Sequence, residues 1–144
     1  MKRFTAVLAT AAALSGLGVA GATAATAQPT GPSGPSNCVD GFPGILNTRL
    51  CASVTGNQVT FGGYATPASV SWTPQKVSFN LTAQVVGGAV IGSDSPNVFI
   101  PFGGIPVGNV SGTAPCGSSV MATFNVTQWG WPPSTATVTV PVTC

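Results

Sequence analysis

The sequence predicts an all-β domain: a small antiparallel, Ig-like β-sandwich with two disulfides, following a cleaved signal peptide. Three observations carry that prediction. Apolar and polar residues alternate with a period of two through several segments. No segment past the amino terminus places apolar residues at helical spacing, and Val, Thr and Phe dominate instead. Four cysteines stand in a chain marked for export, where oxidation is the expected state.

Residues 1–27 carry Lys2 and Arg3, then an Ala-rich apolar run, then Ala25 and Ala27 in an A-x-A arrangement. This is the pattern of a signal peptide cleaved near Ala27, and it predicts a secreted, extracellular product. No later stretch reaches the roughly 18 uninterrupted apolar residues that a membrane-spanning helix needs. Residues 28–37, QPTGPSGPSN, have nothing to bury and read as a flexible spacer. A single domain is expected over 38–144.

Within that domain the alternation is unbroken over 76–85. Val77, Phe79, Leu81, Ala83 and Val85 share one face, and Lys76, Ser78, Asn80, Thr82 and Gln84 the other. The same period runs through Val120, Ala122, Phe124 and Val126, and again through Ala136, Val138, Val140 and Val142. Shorter strands are predicted at 57–61, 68–72, 85–91 and 97–100. Residues 100–110, IPFGGIPVGNV, are predicted to be a connecting loop, because Pro101 and Pro106 lack the amide donors of a central strand. Six to eight strands with Gly/Pro turns describe a sandwich. A hairpin between the last two strands with its turn near Gly130 sets Phe124 opposite Ala136, Ala122 opposite Val138 and Val120 opposite Val140. Cys116 then faces Cys144. Of the three connectivities four cysteines allow, this register selects Cys116–Cys144 and leaves Cys38–Cys51.

Without Lys2 and Arg3 only Asp40, Arg49, Lys76 and Asp94 are charged. Two scattered cations cannot neutralise a phosphate backbone, so no nucleic-acid partner is expected. The chain has no His and no Glu, and both disulfides consume the thiols, so no conventional Ser-His-Asp or Cys-His site can form. Two carboxylates are too few for a firm metal site, and no cofactor is expected. The acceptor patterns at Asn80, Asn109 and Asn125 are expected to stay unmodified, because the signal peptide looks bacterial.

What remains is binding. Cys38–Cys51 closes a loop with Phe42, Pro43, Ile45 and Leu46 at its centre. Loop closure by such a bridge stabilises by on the order of 3 kcal/mol. The loop either plugs the sandwich or presents an apolar tip, preorganised for a protein partner. Trp129 and Trp131 flank Gly130, and with Tyr64 they offer stacking faces for carbohydrate, the alternative ligand. Trp72 is expected in the core. A protease-inhibitor loop with Leu46 or Arg49 as specificity residue is a third reading, and edge-to-edge self-assembly a fourth.

The layout of a spacer, an early disulfide-flanked segment (Cys38 to Cys51), an extended stretch behind it (52–61) and a β-domain closed by a terminal cysteine pair resembles the small adaptor subunits of bacterial umbrella toxin particles. The resemblance implies a non-enzymatic adaptor that links a repeat-containing stalk protein to a lectin-like subunit in a secreted heteromeric complex. It also implies that the disulfide-flanked region and the strand behind it, with Val54 and Val59, engage the stalk by strand addition.

Overall fold

The computed structural model describes residues 36–41 and 44–144. The predicted signal peptide, residues 28–35 of the spacer, and Phe42 and Pro43 lie outside the described residues. Nine strands form among the described residues: β1 (Asn37–Asp40), β2 (Leu46–Thr55), β3 (Gln58–Pro67), β4 (Gln75–Val85), β5 (Val90–Asp94), β6 (Asn97–Ile100), β7 (Ile105–Thr113), β8 (Ser119–Val126) and β9 (Thr135–Pro141). They make two antiparallel sheets, ordered β1-β2-β3-β7 and β5-β4-β8-β9, with β6 also on β4. β5 and β6 follow β4 in one register, with Leu81 opposite Asp94, the Phe79 amide donating to Pro96 O, and Ser78 opposite Asn97. Together they are one edge strand interrupted at Ser95 and Pro96.

The alternation read in the sequence is the sandwich's inner face. Val77, Phe79, Leu81 and Ala83 of β4 pack with Val120, Ala122 and Phe124 of β8 and with Ala136, Val138 and Val140 of β9. The other sheet meets them with Leu46, Leu50, Ala52, Val59, Phe61 and Val107. Each large side chain so buried contributes about 1.5–3 kcal/mol relative to exposure. The rings of Phe79 and Phe124 stack at 5.5 Å, 8° from parallel. Gly63 shares the inward parity of Phe61 and Ala65 and lies beneath Phe124, where a Cβ would lie 2.7 Å from the ring; beside it the β3–β7 register shifts, with Gly108 the extra residue on β7. The β8–β9 register is the expected one, with Val120 opposite Val140, Ala122 opposite Val138 and Phe124 opposite Ala136. Both disulfides form as paired from the sequence, Cys38–Cys51 and Cys116–Cys144.

Four local expectations fail. Residues 68–72 form a turn rather than a strand; Trp72 is buried as expected, but Val70 is fully exposed. Residues 85–91 straddle a hairpin tip, since β4 ends at Val85 and Gly87 takes a positive φ of 71°. Residues 105–110 belong to β7 rather than to a loop. β7 is the outer strand of its sheet, so Pro106, opposite Tyr64, sits where proline is tolerated. Gly104 and Gly108, with φ of 73° and 74°, absorb the irregular backbone around it. Residues 52–61 are likewise not one extended stretch. They turn at Gly56 and Asn57, so that Val54 faces Val59 across the β2–β3 hairpin.

Strand direction gives the molecule two unlike ends. Connections 41–45, 68–74, 101–104 and 127–134 meet at one end, here the loop end. Turns 56–57, 86–89 and 114–118 lie at the other, with Cys144 and its bridge to Cys116. Ser36 shares a crevice with Val54, Val140 and Pro141, so the described chain also enters on the side away from the loop end.

Candidate functional site: an apolar loop end

The loop end is assembled by hydrogen bonds that the strands prepare. β1 and β2 form a hairpin in which Cys38 lies directly opposite Cys51 and Asp40 opposite Arg49, and the Gly41 amide donates to Thr48 O at 2.7 Å. The disulfide therefore rivets the base of the opening loop. Arg49 grips Asp40 with both arms, Nε to Oδ1 at 2.6 Å and Nη2 to Oδ2 at 3.1 Å. These hydrogen bonds hold the Asp40 carboxyl below its ordinary pKa and raise that of Arg49. The pair cancels its own charge in full exposure.

Beyond the loop, Ile45 O accepts from the Ala68 amide at 3.2 Å, which ties the opening loop to the 68–74 turn. That turn buries Trp72, whose Nε1 donates to Ile100 O at 3.0 Å. Trp131 meets it edge-on, with ring centroids 5.9 Å apart and planes at 84°. Trp131 arrives there through a four-residue turn closed by its own amide on Gln128 O at 3.2 Å, with Gly130 at φ 78°. A positive φ at the third position is the type II requirement, and it leaves Trp129 at the apex. The Gln128 side chain extends the β4 ladder, its Oε1 accepting from the Ser78 amide at 3.1 Å.

The result is an open groove of about 590 Å³. It is lined by Gly44 and Ile45, by Trp72 and Trp131, by Ser69, Ser71 and Thr73 of the 68–74 turn, and by Gln75 at the start of β4. At the same end Ile45 (41% exposed), Val70, Phe102 and Trp129 (94%) stand in solvent.

The candidate residues thus divide. Ile45 and Trp131 come together in the groove, and Trp129 stands beside it on the same turn as Trp131. Trp131 itself is half-buried against the core, so the two tryptophans do not form one exposed stacking face. Tyr64 is elsewhere, on the outer face of β3 between Arg49 and Pro106, its hydroxyl donating to Gly103 O. Leu46 (1% exposed) and Val59 (0%), expected at a partner-facing surface, are core, and Val54 packs against it. The reason is the pleat: Leu46 has the inward parity of Thr48 and Leu50. Leu46 is therefore not presented to a protease, and Arg49 lies on a strand paired on both sides. Val70 and Gln75 escaped the sequence reading, which gives Phe102 only as part of the connecting loop at 100–110. Their signal was topological, since every second connection of an antiparallel meander returns to the same end.

Asp40, on β1, and Asp94, on β5, lie on outer strands of different sheets, with β1 beside β9 and β5 beside β7, so they sit on opposite flanks of the sandwich. Asp94 is used structurally, accepting the Asn109 amide at 3.1 Å. Among the described residues no three His, Cys, Asp or Glu gather as metal ligands, and no helix is long and apolar enough to cross a membrane. No family model, curated protein or solved structure matches the chain.

Proposed function

We propose that this protein is a secreted, non-enzymatic interaction module that docks another extracellular protein through its loop end, as the adaptor of a multiprotein complex. The observation that carries this reading is the gathering of Ile45, Val70, Phe102 and Trp129 at one end of the sandwich, in connections that bring no charged side chain with them. Exposed apolar patches on small soluble domains mark contact surfaces, and aromatic anchors on a stapled scaffold lose little entropy on binding. The absence of His and Glu in the sequence, and the structural use of both Asp and all four Cys, support a role without catalysis.

The likeness in layout to umbrella-toxin adaptors belongs to the same proposal, with one revision. β2 already has β1 and β3 on its two sides, so the strand behind the disulfide cannot itself be added to a partner's sheet. Docking falls to the loops. Pull-down from the producing organism's culture fluid with tagged 28–144 tests it, alongside an Ile45→Ser/Val70→Ser/Trp129→Ser variant. Stable recovery of secreted proteins by the wild type alone is the expected result. Equal recovery by the folded variant, or none by either, overturns the proposal.

A further inference from the structure

The groove differs in chemistry from the apolar tips around it. Its two tryptophans are held rigidly, Trp72 by its hydrogen bond to Ile100 O and Trp131 by edge contact with Trp72. The same lining carries neutral polar side chains, Ser71 and Thr73 flanking Trp72 in the chain. The Ser69 and Ser71 hydroxyls bond each other at 2.7 Å, and Gln75 Nε2 donates to Thr73 O at 3.3 Å. These bonds fix the side chains while leaving Gln75 Oε1 and hydroxyl lone pairs open to a ligand. No charged side chain lines the groove.

That combination selects among ligand classes. A phosphate or acidic sugar requires a cation here, and none is present. A wholly apolar ligand would strip water from four polar side chains without replacing its bonds. A ring with an apolar C–H face and uncharged hydroxyls suits both kinds of lining, resting against the half-buried Trp131 indole while exchanging hydrogen bonds with Ser, Thr and Gln. At about 590 Å³ the groove falls within the usual range for small-ligand sites. We propose that it binds a neutral saccharide chain. This goes beyond the docking surface: the two share Ile45, but Val70 and Trp129 do not line the groove and so separate the two roles.

The test is titration of the oxidised protein with three neutral hexasaccharides, of β-linked glucose, α-linked glucose and N-acetylglucosamine, read by tryptophan emission and calorimetry to millimolar concentration. At least one saturates. Trp131→Ala and the groove-filling Ser71→Trp weaken it roughly tenfold or more, and Val70→Ser/Trp129→Ser leaves it unchanged. Ser71 is exposed, so its variant retains the fold if removal of Trp131 does not. Saturation by none of the three, or saturation unaffected by Ser71→Trp, overturns the site. Loss of protein capture in the Ser71→Trp variant without any saccharide binding also overturns it and assigns the groove to docking.

Discussion

Gly63 is where a single atom decides packing. A Cβ there would collide with Val107 O and press on the Phe124 ring, so Gly63→Ala is expected to cost about 1–3 kcal/mol, read as a lowered midpoint in denaturant unfolding. An unchanged midpoint would mean that the bulge and ring yield freely. Asp40 makes a second prediction. Because Arg49 lowers its folded pKa below the unfolded value, the pair's contribution is present above the unfolded carboxylate's pKa and is lost as pH falls through the lower folded value. Both partners are solvent-exposed, so the effect on stability is small. In an NMR titration the Asp40 carboxyl should move upward toward its ordinary pKa in Arg49→Gln. No movement would remove the role given to the hydrogen bonds.

At the scale of elements, β1 and β9 receive their disulfides for different reasons. All four residues of β1 are exposed, so pairing with β2 and the Cys38–Cys51 bridge hold it, not burial. Replacing both cysteines with Ala should free the β1 amides to hydrogen exchange while those of β4 and β8 stay protected. Global exchange would show instead that β1 is integral to the core. The Cys116–Cys144 bridge spans 28 positions against 13, and it clamps a tail whose Val142 is fully buried. Its removal should lower global stability by about 3–4 kcal/mol. The β8–β9 register was legible because one buried face and two cysteines fix the same offset. β7 was not legible, because Pro106 and two positive-φ glycines suppress the local signal that its edge position makes tolerable.

For the whole molecule, polarity is the property with consequences. Apolar loops occupy one end, and Ser36, Cys144 and the Cys116–Cys144 bridge lie toward the other, so the proposed contact points away from Ser36. Because the loop-end connections carry no charged side chain, capture of the partner should change little between about 50 and 500 mM salt, a range over which charge-driven contacts are strongly screened. Steep salt dependence in the pull-down would shift the contact from the connections to the adjoining strands, at Arg49 or Lys76.

Alternation by itself determined the layers, the inner face and the terminal hairpin, because a period of two leaves each strand one way to bury its apolar residues. Cysteine parity within that register determined the disulfides. Only the tertiary structure decided which loops share an end and why Trp131 turns in while Trp129 stays out. Those outcomes depend on strand order and on backbone turns at single glycines, which bring together residues far apart in sequence and leave no periodic trace within any one segment.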